Sequence, residues 1–478
     1  MKQLAGQTAV YGLSSILGRF INFLLVPLQT AVLTTAEYGY NVDFYSLIAF
    51  LIVVLTFGME TAFFRFSQKE HKTVAVFNNS SSLILVAVGI FTGITLLLEP
   101  ALVGVLRWES HPAMLKLLLA VLALDALSAI PFARLRLENK AWQFAGIKMA
   151  LIGANVLLNL YFYLPVFWES KGITPWFNHD YRGVELVFWA NLIASVLMFL
   201  LLIPAWRGFK FSLNKKIALP LLKFGWPLLV GGLAGIANEV LDRQLLKYLL
   251  PVDSWESGVG QYGGVYKISI FLVLFNQAFR YAAEPFFFKS AEQKDSPQTF
   301  AKILRLFTWL MSIGFVTVIA GLDILKFFID SSYWSALYIV PVLLLANVIL
   351  GVNTNLSIWY KLVDKTAYGI KITGVGLAFT IILNFLLIPI MGIMGAAIAT
   401  LASYTAMTVV SALWGNKHYP IPYPWRRIVA YIATACVVVM LTHYVVPQIV
   451  ALKIGIGLLY IVAMIVVEKQ TIRTFIKP

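Results

Sequence analysis

An all-α polytopic membrane protein of about 14 transmembrane helices is the fold class this sequence predicts, from its composition, the length of its apolar runs and the alternation of charge between them. Of its 478 residues 60% are hydrophobic and 12% charged, and the mean hydropathy is +0.82. A soluble domain carries roughly 25% charged residues. The apolar runs reach the ~20 residues a helix needs to cross a bilayer, and the ~10-residue alternating segments of a membrane barrel are not seen.

Taken in order, the spans are expected near Thr8–Leu33, Tyr40–Phe66, Val76–Leu98, Ala113–Leu137, Trp142–Phe167 and Val184–Trp206. A seventh covers Lys223–Pro251, followed by Gln261–Phe288, Phe300–Ile329, Leu337–Tyr360, Tyr368–Ile390, Gly392–Trp414, Trp425–Val446 and Ile449–Val467. The connection Trp168–Gly183 is too short to fold alone, and its aromatic residues suit a membrane interface.

Every second connection is basic, beginning with Arg65, Lys69 and Lys72, then Arg134, Arg136 and Lys140, and ending with Lys469, Arg473 and Lys477. The intervening ones, such as TTAEYG and PVDSWESG, are neutral or acidic. The positive-inside rule then places both termini in the cytoplasm. The net charge of +15 is accordingly a topological signal and does not call for a nucleic-acid partner, although part of it can serve anionic lipid headgroups or substrates. The single Cys436 lies in an apolar run, which excludes a disulfide framework, and the five histidines lack metal-ligand spacing. The N-terminus, with Lys2 and then a long apolar span, is expected to be kept as the first membrane helix.

Spans one to six and seven to twelve start on the same side, so a duplication would be a parallel one about an axis along the membrane normal. AEYGYNVDFYSLIAFL after the first span parallels SGVGQYGGVYKISIFL after the seventh. Two parallel six-helix lobes, residues 1–210 and 211–416, are expected, with a two-helix C-terminal segment at 417–478.

The seventh span is the one around which the rest is organised. It is apolar enough to cross the membrane yet carries Asn238, Glu239, Asp242 and Arg243. An ionised group near the bilayer centre costs about 2.5–3.5 kcal/mol on insertion scales, so such groups face a bundle interior or a wet cavity and pair with one another. Glu239 and Arg243 are spaced to pair on one helix face, acid first, and Asn238 and Asp242 share a neighbouring stripe. Arg19 falls mid-span in the first helix and Asp125 in the fourth; Lys267, Arg280 and Glu284 lie along the eighth.

Two arrangements follow. In one, Arg19, Arg243, Lys267 and Arg280 make a cationic cavity between the two halves, suited to a diphosphate that guanidinium groups bind bidentately. In the other, each base is neutralised by an acid, Arg19 by Asp43 or Asp125 and Arg280 by Glu284. Pro227, Gly231, Gly232 and Gly235 in the seventh span and Gly12, Gly18 and Pro27 in the first favour bent, closely packed helices. No nucleotide-binding, zinc-hydrolase or serine-elbow motif is present, so no enzyme is expected, and transport would draw on an ion gradient, the membrane potential or the substrate's own gradient.

The pairing of ANEVLDRQLLKYLLP with GVGQYGGVYKISIFLVLFNQAFRYAAEPFFF resembles the polysaccharide transporter branch of the multidrug/oligosaccharidyl-lipid/polysaccharide flippase superfamily. GLSSILGRFINFLLVPL, PFARLRLENKAWQFAGIKMALIGANVLLNLYF and LNFLLIPIMGIMGAAIATLASY are similar to other recurring segments of that family, in the same order. The resemblance implies a flippase of the bacterial cytoplasmic membrane for isoprenoid diphosphate-linked oligosaccharides, serving O-antigen, lipopolysaccharide, capsule or another exported polysaccharide, with two lobes alternating in access. It implies cavity roles for Arg19 and Arg243 and, more loosely, Lys267 and Arg280, with polysaccharide polymerase and glycosyltransferases as further partners. The acids Glu239 and Asp242 depart from a simply cationic cavity and leave open sodium or proton coupling, in which Asn238, Asp125 and Glu284 are further candidates; no other cofactor is implied. The competing readings are a cation-coupled multidrug exporter of the same fold and a membrane-embedded glycan polymerase or ligase. The latter would need a longer external loop than the sequence contains.

Overall fold

A computed structural model describes residues 17–18, 20–70, 73–175, 182–291, 295–446 and 449–476. Among them all regular structure is helical, and thirteen helices are long and apolar enough to cross a membrane. These are α2 (Thr35–Gln68), α3 (Thr73–Leu97), α4 (Ala113–Leu137), α5 (Ala141–Ser170), α6 (Glu185–Trp206), α7 (Lys215–Leu249) and α8 (Trp255–Ser290). They continue with α9 (Ser296–Ala320), α10 (Ser331–Leu362), α11 (Ala367–Met391), α12 (Ile393–His418), α13 (Trp425–His443) and α14 (Val450–Lys469). The shorter apolar α1 (Phe20–Val32) is the described part of the first expected span.

The polytopic all-α expectation therefore holds, with boundaries that move. α7 begins eight residues before Lys223 because Asn214 caps it, its side chain accepting from Lys216 N at 3.0 Å. α2 starts at Thr35 behind a capping box in which Thr34 and Glu37 satisfy each other's backbone N–H groups. α10 starts at Ser331 rather than Leu337, through a 3₁₀ segment to Ile339.

The chain divides into two compact units, Met1–Gly260 and Gln261–Pro478. In the first, α2 packs on α7 and α4, α5 on α6, and α6 on α4. Phe132, Phe144, Met198 and Leu202 form one of its buried clusters. The connection leading into α7 is held by polar side chains of α3: Asn78, Ser82 and Asn79 accept from the backbone N–H groups of Lys210, Ser212 and Asn214 at 3.1, 2.9 and 2.8 Å.

α2 is not one straight rod. Phe57 (φ 28°) and Gly58 (φ 72°) break it in a left-handed turn, and a Cβ on Gly58 would also come within 2.8 Å of Leu228 Cβ on α7. A second close approach joins the starts of α2 and α8. A Cβ on Gly39 would lie 1.9 Å from the Glu256 carbonyl oxygen, and one on Gly260 would lie 1.9 Å from that of Thr35. The contact is reciprocal: Thr35 and Gly39 stand one helical turn apart, as do Glu256 and Gly260, and the two segments are the pair that parallel each other in sequence.

In the second unit α12 packs on α11 and α10, while α9 packs on α10, α13 and α14. The last two helices are fastened by charge. Arg305 Nη2 bonds both carboxylate oxygens of the fully buried Glu468 at 2.6 Å, Arg305 Nε adds a 2.8 Å bond, and Tyr431 donates to the same carboxylate. Large apolar side chains such as Phe385, Leu386 and Ile390 of α11 are exposed, which suits a lipid-facing surface and would be a liability in water.

Candidate functional site

Polar chemistry inside the first unit gathers at three places. The first is on α7. Asn238, Asp242 and Arg243 are buried, and Glu239 is exposed. The expected Glu239–Arg243 side-chain pair is not what forms: Arg243 bonds the Glu239 carbonyl and its guanidinium lies 3.4 Å from the Asp242 carboxylate, which also accepts from Arg243 N at 2.8 Å. The neighbouring acid wins because it shares the buried side of the helix, while Glu239 is rotated away. Arg19 lies outside the described residues.

The second place is a deeply buried ion pair between α2 and α7. Lys247 Nζ lies 2.5 Å from Asp43 Oδ2, and both side chains are 0% exposed. Trp108 Nε1 donates to the same oxygen at 2.7 Å, and Gln244 Nε2 to Asp43 Oδ1 at 2.7 Å. The ammonium also sits 4.9 Å from the Trp255 ring centroid and 5.2 Å from that of Trp108, so aromatic faces replace part of its hydration. Arg107 (φ 53°) closes the cluster by donating to the Lys247 carbonyl at 2.7 Å. Asp43 was one of two acids expected to neutralise Arg19; its described partner is Lys247, on the helix that packs against its own.

Beside this cluster His111, in the connection before α4, hydrogen-bonds Glu185 and lies edge-on to Tyr40 at 4.6 Å. The Glu185 bond raises the His111 pKa against the opposing effect of burial.

The third place is a chamber of about 440 Å³ walled by α2, α4, α5 and α6 and lined by Glu60, Asp125, Arg136 and Lys148. Glu60 and Arg136 form an ion pair. Asp125 accepts from Ser195 Oγ at 3.0 Å, and Lys148 Nζ lies 4.5 Å from the Phe132 ring centroid. Two acids and two bases leave no net charge. Lys148 and Lys247 were not singled out in the sequence, although each had a legible mark. Lys148 is an isolated charge inside a long apolar helix, and Lys247 is a base at the end of α7 where the connection is otherwise acidic.

In the second unit Lys267 sits in a 3₁₀ turn, Lys267–Ser269, within α8. Arg280 is exposed and lies 5.5 Å from the Tyr281 ring centroid. The expected Arg280–Glu284 neutralisation is replaced by a Lys361–Glu284 pair at 2.6 Å, bridging α10 to α8. With the base preceding the acid on the helix, the local pair has the weaker order, and a lysine from a facing helix displaces it. Arg280, Glu284 and Lys361 line one shallow pocket.

A bundle of long apolar helices with buried ion pairs and a chamber lined by both acids and bases defines a multi-pass membrane protein. Residues 4–291 match the family described as "Polysaccharide biosynthesis protein", and the chain belongs to that family. Among solved structures it is similar to a lipid II flippase, MurJ, in an inward closed conformation, with 16% identity, TM-score 0.72, and 98% of this chain and 99% of that one covered. It is also similar to an inward-facing multidrug resistance MATE family transporter of the MOP superfamily, with 16% identity, TM-score 0.62, and 87% and 96% covered. An outward-facing member of the same kind gives 16% identity, TM-score 0.58, and 91% and 97%. The flippase and transporter fold is therefore shared. No curated protein sequence matches significantly.

Proposed function

We propose that this protein is a flippase that moves isoprenoid diphosphate-linked oligosaccharide units across the bacterial cytoplasmic membrane for polysaccharide export, with both termini cytoplasmic. Two six-helix lobes, residues 1–210 and 211–416, would alternate in access, with 417–478 as an added pair. The observation that carries the reading is membership, over residues 4–291, of a family described by polysaccharide biosynthesis. The likeness in fold to a lipid II flippase supports the lipid-linked class of cargo.

Arg243, with Arg19, Lys267 and Arg280, is assigned to the diphosphate, because fixed guanidinium and ammonium donors hold such groups with charge-assisted bonds. Asp125, Asn238, Glu239, Asp242 and Glu284 are assigned to charge balance or to sodium or proton coupling. Polymerase and glycosyltransferase partners would supply and consume the cargo. The MATE-like fold supplies the second reading, a cation-coupled exporter of organic cations, which calls for a more acidic cavity than a chamber whose two acids are matched by two bases.

The two separate in proteoliposomes given a fluorescent isoprenoid diphosphate oligosaccharide and a cationic dye, with and without a sodium or proton gradient. Movement of the lipid-linked sugar alone supports the flippase. Gradient-driven movement of the dye alone overturns it in favour of the exporter.

A further inference from the structure

The second unit holds a cavity that the transport reading does not use. It measures about 300 Å³, within the size range of small-molecule sites, and lies where the ends of α9, α10, α13 and α14 meet. Its polar lining is Asp323, Lys326, His443 and Lys453, and its apolar walls include Trp334 and Leu337. One carboxylate serves two ammonium groups: Lys453 Nζ lies 2.8 Å from Asp323 Oδ2, and Lys326 Nζ lies 3.6 Å from Oδ1.

The 3.6 Å separation is beyond a normal hydrogen bond, so Lys453 is the closer partner of Asp323 and Lys326, still paired electrostatically, retains donor capacity. Burial opposes ionisation of Asp323, yet the Lys453 and Lys326 contacts together hold its carboxyl below the usual value, and in the geometry two ammonium groups share this one carboxylate. The Lys326 ammonium is also oriented: it sits 4.8 Å from the Trp334 ring centroid, and the indole is fixed by Nε1 donating to the Lys326 carbonyl at 2.9 Å.

We propose that this cavity is a binding site for a single phosphate group, the phosphodiester of an anionic membrane lipid, with Lys326 as the principal donor and Lys453 behind it. An oxyanion would complete the charge balance that one carboxylate cannot. The apolar wall and position at helix ends favour a phosphate carried on a lipid over one free in solution. By the alternation of basic connections this end of the helices is the non-cytoplasmic one, so the lipid would come from the outer leaflet.

The test uses the full chain in phosphatidylcholine nanodiscs, titrated with phosphatidylglycerol in one arm and inorganic phosphate in the other, with bound ligand read by native mass spectrometry. Saturable phosphatidylglycerol binding is expected to weaken about tenfold in Lys326→Gln, in keeping with the loss of one charged hydrogen bond. Lys326→Arg should retain it. Asp323→Asn, which releases both lysines, should tighten binding, a change that a purely structural role would not produce. The same lysine dependence for inorganic phosphate, without lipid binding, would keep the phosphate site and overturn the lipid as its source. No saturable binding in either arm, or binding indifferent to Lys326, would overturn the proposal; unfolding temperatures of each variant show that the fold is retained.

Discussion

Lys247 and Asp43 face each other at 2.5 Å with neither side chain reaching solvent. Such a pair gains little over well-packed apolar residues, but breaking it from one side strands a charge. Asp43→Ala is therefore expected to destabilise the protein by about 3–5 kcal/mol. Asp43→Leu combined with Lys247→Met should recover most of that loss. Thermal unfolding in nanodiscs decides; a single variant as stable as the parent would mean that the ammonium finds another anion or loses its proton.

Arg305 and Glu468 predict how α14 is held. Arg305→Ala removes the Arg305 guanidinium bonds to a carboxylate that is 0% exposed, and Arg305→Lys keeps the charge but loses the bidentate geometry. Hydrogen exchange over residues 450–469 should rise strongly in the first variant and modestly in the second. Unchanged exchange in both would show that apolar packing alone seats the helix.

Arg243→Ala is expected to abolish translocation in the liposome assay while leaving insertion intact; undiminished transport would remove Arg243 from the site. In the structure Asp242 is a side-chain partner of Arg243. A double-mutant cycle on stability should give coupling of at least about 0.5 kcal/mol between Arg243 and Asp242. Arg243 and Glu239 should couple less, since the bond to Glu239 is made to its carbonyl and survives truncation of its side chain. The reverse ranking would contradict the geometry.

The His111–Glu185 contact makes stability depend on pH. With the folded-state pKa raised, the contribution is complete below the unfolded value of about 6.5 and is lost as pH rises through the higher folded value. The gap in unfolding temperature between the parent and His111→Gln should be widest in acid and close toward alkaline pH. A gap that widens with pH would mean that the imidazole is held neutral.

The helices were legible because a span must satisfy its own backbone hydrogen bonds in lipid and so declares itself by length and apolarity. Side-chain partners were less so. Spacing along one helix suggested Glu239 for Arg243 and Glu284 for Arg280, yet the observed partners are Asp242 and, for Glu284, Lys361 from another helix. Rotation and the neighbour across the interface decide such contests, and neither is written in a single helix's spacing. Lys247 escaped notice because a lysine at the end of a span reads as a flank, whereas Trp108 and Trp255 enclose it.

The glycine crossing of α2 and α8 is self-complementary. Thr35 meets Gly260 and Glu256 meets Gly39, so the patch docks on its own counterpart. That is the contact by which two identical chains close a twofold dimer. Were the two segments products of duplication, a half-length chain pairing through this patch would have had its interface ready-made. In the paralleled segment the place of Asp43 is taken by Gly264, tucked against the Tyr333 ring, so only one of the two like segments carries the acid that the buried salt bridge needs.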